Sequence, residues 1–246
     1  MTFQRLFIVF AIGVAACAGV EAAPVRLCFE PARVTLTTKD MPLLEYAYAE
    51  VPYKPCVRAW RTPAGINILR DSPHDHVHHH ALMYAVTVED INFWEEHDAP
   101  GREAHRAFQQ CWSGQVVGHH AAQFTETLHW VNPRTETRLL EETRTLRAYA
   151  PDAQLGASFL VWESRLEAPK ARGAAELTGS HYHGLGLRFI ESMDGAGTFL
   201  YAGGEPGELV RGDEHVTYGD WCALTGPANG RPVTVAVFDH PENPRQ

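Results

Sequence analysis

Apolar and polar positions along this chain alternate with a period of two far more often than with a helical period. Segments 25–37, 43–50, 81–88, 115–130, 136–149, 157–167, 185–190 and 233–238 are rich in Val, Thr, Leu and aromatic residues. Several alternate in part, as Leu155-Gly156-Ala157-Ser158-Phe159 does, and this predicts strands. Turn chemistry separates them: Thr62-Pro63-Ala64-Gly65, Asn132-Pro133-Arg134, Asp194-Gly195-Ala196-Gly197, Gly203-Gly204-Glu205-Pro206-Gly207 and Gly226-Pro227-Ala228-Asn229-Gly230. Only 89–97 predicts a helical turn. No self-similar period recurs, so a propeller or solenoid is not indicated. The expected fold is all-β, an antiparallel two-sheet β-sandwich with little helix, of which a mutarotase-like supersandwich is one form.

The N-terminus breaks this pattern. Met1-Thr2-Phe3-Gln4-Arg5 carries one positive charge, Leu6 to Ala16 is continuously apolar, and Val20-Glu21-Ala22 follows. That order is the plan of a secretory signal, with cleavage expected after Ala22. Residues 1–22 are then the signal and 23–246 a single β domain. Val14-Ala15-Ala16-Cys17 also fits a loose lipoprotein box, which makes Cys17 a candidate lipid anchor. Both routes lead out of the cytoplasm, to a periplasmic or secreted product. No later window is long and apolar enough to be a membrane span.

Charge narrows the partners. The net charge of −9 survives loss of the signal, which removes one Arg and one Glu. An acidic surface without a basic stripe offers no binding to nucleic acid. A small molecule or an oligosaccharide is the expected ligand. Cys28, Cys56, Cys111 and Cys222 remain in the processed chain, none in a C-x-x-C pair; outside the cytoplasm three pairings are open to them, and isolated buried thiols are at least as much expected as bridges.

Histidine carries the candidate chemistry. Of fourteen, five stand in His74-Asp75-His76-Val77-His78-His79-His80. An extended strand would put His74, His76, His78 and His80 on one face. Imidazoles so placed, with Asp71 or Asp75 beside them, form a donor set for a divalent metal, and Asp71, His76 and His78 are its candidate ligands. The same imidazoles titrate near neutrality and suit acid–base catalysis. His181-Tyr182-His183 precedes Gly184-Leu185-Gly186, whose glycines permit close approach of a ligand or another backbone. Asp239-His240-Pro241-Glu242-Asn243 follows a strong strand, where site residues often lie. Three His-bearing loops suggest one pocket, with His78, His79, His183 and His240 as its catalytic groups. No G-x-S-x-G elbow, H-E-x-x-H helix, P-loop or dinucleotide fingerprint is present.

The run Arg70-Asp71-Ser72-Pro73-His74-Asp75-His76-Val77-His78-His79-His80-Ala81-Leu82, with Asp90-Ile91-Asn92-Phe93-Trp94 after it, resembles the core of the PmoA-like family. These are bacterial proteins carrying the label methane oxygenase PmoA. Further matches follow in order: Gly101 to Phe108, Leu140 to Leu146, Phe159 to Leu166, Gly184 to Arg188 and Phe238 to Arg245. The resemblance places His78, His79, Arg188, Asp239, His240, Asn243 and Arg245 on family positions. Arg188, Asn243 and Arg245 would then bind substrate, the arginines orienting a polar or anionic group.

The resemblance has departures. Val86-Thr87 stands where the family commonly has His-Gly, and Tyr182-His183 where it often has a Glu. The family usually continues past the Asp-His-Pro motif, so a missing C-terminal segment is expected here. Methane oxidation does not fit: the family label implies several membrane spans, and neither Ala23 nor Cys17 gives a terminal histidine for copper. The resemblance implies instead an extracytoplasmic β-sandwich acting on carbohydrate as a hydrolase, lyase or epimerase. The rival expectation is a non-catalytic sugar- or surface-binding module, with Trp60, Trp94, Trp112 and Trp221 as stacking candidates.

Overall fold

A computed structural model describes residues 4–13, 24–39 and 41–243. In chain order its strands are β1 (Gln4–Gly13), β2 (Val25–Phe29), β3 (Arg33–Thr38), β4 (Met41–Ala47), β5 (Cys56–Trp60) and β6 (Leu82–Ala85). Two short strands follow, β7 (Thr87–Val88) and β8 (Ile91–Asn92), then four long ones: β9 (Arg102–Val116), β10 (His119–Val131), β11 (Arg138–Tyr149) and β12 (Ala157–Glu167). The remainder are β13 (Leu177–Thr178), β14 (Gly184–Leu187), β15 (Thr198–Tyr201), β16 (Glu208–Arg211), β17 (Glu214–Val216), β18 (Trp221–Ala228) and β19 (Arg231–Asp239). A 3-10 turn at Glu191–Met193 is the one helical element among the described residues, and no helix there is long and apolar enough to cross a membrane.

The expected antiparallel sandwich is what forms. One sheet runs β15-β18-β19-β1-β12-β11-β10-β9 and the other β14-β6-β5-β4-β3-β2. Their inner faces share one core. On β12, Leu160, Trp162 and Leu166 alternate inward, and on β11 Leu140, Leu146 and Ala148 do the same. Across the gap stand Val34, Leu36, Leu44, Tyr46, Val57 and Trp60, and the Tyr46 and Phe124 rings meet at 5.2 Å. Burial of these side chains on both faces is the main force joining the sheets.

Two expectations change in detail, at segments 25–37 and 89–97. Segment 25–37 is a hairpin rather than one strand, turned where Glu30 N donates to Arg33 O at 2.9 Å. Segment 89–97 forms β8 and bends instead of a helical turn, because Asn92 Oδ1 accepts from the backbone N–H groups of Trp94 and Glu95. The apolar segment expected as a signal supplies β1, whose residues Ile8 to Gly13 pair with both β12 and β19. The four described cysteines are free.

Arg144 sits at the centre of the sandwich with no exposure. All five of its N–H donors find acceptors: Glu142 takes Nε and one Nη2 bond at 2.8 Å each, Glu103 the other Nη2 bond at 2.8 Å, and the Tyr46 hydroxyl and Pro55 carbonyl take Nη1 at 3.2 and 3.0 Å. Its guanidinium lies 4.7 Å from the Trp162 ring centroid. Trp130 Nε1 and Ser164 Oγ donate to Glu142, and the Tyr46 hydroxyl donates to Glu126. Burial pushes the Glu103 carboxyl up to about 8, so it is largely protonated at neutral pH and Glu142 is the main counter-charge to Arg144.

Candidate functional site: a histidine-lined cavity

Residues 71–80 do not form a strand. Pro73 opens a turn in which His76 N donates to Pro73 O and His79 N to His76 O, and an isolated bridge pairs Asp71 with His80. The alternation expected of His74, His76, His78 and His80 is therefore lost, and each imidazole is aimed by the turn. His80 points into the protein and is 7% exposed. Its Nδ1 lies 2.8 Å from Asp71 Oδ1 and its Nε2 2.8 Å from Glu96 Oε1. An imidazole donating to two carboxylates carries both protons. Burial opposes that charge, but the bonds from Asp71 and Glu96 hold the His80 pKa above its ordinary value.

Lys54 closes the base of this network. Its ammonium, on a side chain 1% exposed, bonds Glu96 Oε1 at 2.7 Å, the Trp94 carbonyl at 2.9 Å and the His78 carbonyl at 3.3 Å. One buried cation thus ties the histidine turn to the loop bearing Trp94, Glu95 and Glu96. Arg58 Nε adds a contact to Asp71 Oδ2 at 3.2 Å.

Above this base the rings gather. His78 and His79 meet at 4.4 Å, His76 stacks on His79 at 4.8 Å, and His79 stands edge-on to Trp94 at 5.7 Å. His183, from the turn before β14, stacks on Trp94 at 5.4 Å, and Tyr182 packs edge-on against the same ring. Two glycines make room. A Cβ on Gly186 would lie 2.7 Å from Trp94, and one on Gly179, at φ +151°, would lie 2.4 Å from His183 Nδ1. Arg188 is held through its backbone, its N–H donating to Ala81 O at 2.6 Å and its carbonyl accepting from Arg70. Its guanidinium reaches Asp75 at 3.1 Å.

These groups surround a cavity of about 210 Å³, lined by His79, His80, Trp94, Tyr182 and Arg188 with Met83 and Leu187 as apolar wall. Burial, reinforced by the charges of His78 and His76, drives the His79 pKa down to about 3. Burial lowers His78 and His183 as well, the nearby Glu95 opposing it in both. The cavity therefore sets a neutral His79 beside His80, whose carboxylate partners favour its charged form, and one guanidinium. Glu95, itself at hydrogen-bond range of His78 Nε2 (3.2 Å) and of the Tyr182 hydroxyl (3.5 Å), stands behind them.

Of the expected catalytic histidines, His79 lines the cavity with Arg188, while His78 packs against His79 and His183 against Trp94. His240 is not among the described lining residues. It accepts from Glu242 N through Nδ1, and its carbonyl accepts from Asn243 N, within the turn after β19. Asn243 belongs to the same turn, its amide donating to Asp239 at 2.5 Å. Arg245 lies outside the described residues. The expected metal set separates: Asp71 goes to His80, His76 to Asp75 at 3.0 Å, and His78 to Glu95. Cys56, Asp71 and His80 do bring ligand atoms within 4.8 Å of one another. That trio fits a cation poorly, because both His80 nitrogens already face carboxylates, Arg58 abuts Asp71, and burial pushes the Cys56 thiol up to about 12. Lys54, Glu95 and Glu96 were not singled out by sequence. A lysine ahead of the apolar strand Cys56–Trp60 was the available signal for the first.

Fold and site together define an all-β sandwich protein with a histidine-lined cavity at the β6–β14 end of its smaller sheet. The chain belongs to the family of unknown function DUF6807, whose model matches residues 33–246. No curated protein and no solved structure matches it.

Proposed function

We propose that this chain is an exported carbohydrate-active enzyme that moves a proton on a small acidic sugar, as an epimerase or lyase does. The observation that carries the reading is the cavity itself: a neutral His79 and the Arg188 guanidinium line one space of about 210 Å³. That space suits a single sugar ring better than a drug-sized ligand, whose pockets run from about 300 Å³ upward. Arg188 would hold the sugar carboxylate and stabilise the negative charge that develops when the neighbouring carbon loses its proton. His79 would take that proton. A bound carboxylate beside it offsets burial and raises its basicity toward the neutral range. His183 and His78 supply further imidazoles for return of the proton. A carboxylate-pair hydrolase is less well supported, since no Asp or Glu is among the described lining residues.

The sugar class and the export rest on sequence. The PmoA-like resemblance supports carbohydrate. The N-terminal apolar segment supports a signal or a Cys17 anchor, and it lies ahead of the matched family region. A divalent metal at Asp71, His76 and His78 gains no support from their separate partners.

Calorimetric titration of the purified protein with neutral and acidic monosaccharides tests this. Uronates should bind, neutral sugars should bind more weakly, and Arg188→Ala should abolish the difference. Equal affinity for both classes in both proteins would refute the anionic-sugar reading. The binding-module rival keeps one observation: Trp221 and Phe238 pair directly across β18 and β19 and are 37% and 38% exposed. Trp60 is fully buried, Trp94 is 4% exposed and Trp112 lies within 5.8 Å of the Arg147 guanidinium. If Trp221→Ala removed sugar binding while Arg188→Ala left it, the module would be the better account.

A further inference from the structure

The strands β16 and β17 form a hairpin that belongs to neither main sheet. Its turn is Gly212-Asp213, and its stems leave through Ala202 to Gly207 and Thr217 to Asp220, where Gly203, Gly204 and Gly219 stand. Gly203 and Gly204 have open space around them, and Gly204 has φ +80°. The hairpin base is pinned by Gly207, where a Cβ would lie 1.8 Å from Val216 O, so motion is directed into the stems rather than the strand pair.

The distal part of this hairpin rests on the cavity wall by two side-chain contacts. Arg211 lies over the Tyr182 ring at 5.7 Å, and Glu214 bonds His181 Nε2 at 2.9 Å while also holding Arg211 at 2.7 Å. Tyr182 is itself a lining residue, packed on Trp94 and His183. Leu209 and Val210 on the same hairpin are 56% and 42% exposed. An arm held by a few solvent-exposed contacts opens locally at little cost, unlike the strands of the core.

We propose that the β16–β17 hairpin is a hinged cover of the histidine cavity, latched shut by Arg211 on Tyr182 and Glu214 on His181. When the latch lifts, Tyr182 loses its outer support and the space beside Trp94 and His79 opens to solvent. The cover is independent of which ligand the cavity takes.

Labelling of individual histidines by diethyl pyrocarbonate, read by mass spectrometry of peptides, tests this without any ligand. In an Arg211→Ala/Glu214→Gln variant, His79 and His183 should react about fivefold faster than in the unaltered protein, the scale expected for losing weak exposed contacts. His119, 60% exposed on its side chain and far along β10 in sequence, serves as control and should react at an unchanged rate. A second variant, with residues 208–216 replaced by a short Gly-Ser linker, should raise the same two rates at least as much. Unchanged His79 and His183 rates in the point variant would overturn the cover. So would a rise shared equally by His119, since that reports general loosening.

Discussion

Charge is buried around Arg144 and again around His80, and the two regions handle it differently. Around Arg144 every donor of the guanidinium is used, and Glu103, Glu142, Trp130 and Trp162 around it are buried. Around His80 the base is closed at Lys54 and Glu96 but part-exposed at Asp71 and Arg58, and the histidine turn above it opens into a space lined by imidazoles and an arginine. Residues 53–56 separate the regions: the Pro55 carbonyl accepts from Arg144, while the Lys54 ammonium serves the histidine turn. A network that uses every donor of a buried cation fixes how two sheets meet. A network saturated on one side alone positions groups for chemistry on the other.

The comparison breaks first at Arg144. Arg144→Met should cost about 3–5 kcal/mol in urea unfolding, because Glu142 is left buried without its cation. A loss below about 1 kcal/mol would show that the network does not hold the sheets in place. Lys54→Met should cost less, about 2–3 kcal/mol, since Glu96 keeps His80 as a partner. It should also change the NMR chemical shifts of His78 and His79, which Arg144-side substitutions should leave in place. Shifts unaltered in Lys54→Met would mean that Lys54 does not seat the turn.

The regions also titrate in opposite senses. Glu103 has its pKa raised in the folded protein, from an ordinary 4.5 to about 8. Its contribution to stability is complete below pH 4.5 and is lost as pH rises toward 8. His79 has its pKa lowered from 6.5 to about 3, so the unfolded chain takes up its proton first as pH falls. Its contribution is lost between pH 6.5 and 3. Denaturation midpoints measured across pH should therefore fall less on the alkaline side in Glu103→Gln, and less on the acid side in His79→Asn. The smallest expected effect is Glu103→Gln at neutral pH, within about 1 kcal/mol, because the carboxyl it replaces is already largely neutral. A loss like that of Arg144→Met would show Glu103 to be ionised.

Sequence showed the sandwich because inward strands carry their burial in their alternation, and 157–167 coincides with β12. It missed β9, an edge strand whose Arg106, Gln109 and Gln110 are exposed and leave little apolar signal. It set His78, His79, His183 and His240 in one pocket by a strand geometry that the turn at Pro73 replaces, and His240 stands outside the described lining. Lys54, Glu96, Glu142 and Arg144 were illegible for a common reason. A charged residue in sequence reads as solvated, and only a tertiary partner, such as Glu96 for Lys54, makes its burial tolerable.

The cavity's role as a proton-transfer site has one direct measurement. A uronate incubated with the protein in deuterium oxide and followed by NMR should acquire deuterium at the carbon next to its carboxylate. His79→Ala, folded as judged by its unfolding midpoint, should stop the exchange. Exchange that persists in His79→Ala, or none with any uronate that binds the unaltered protein, would contradict the account.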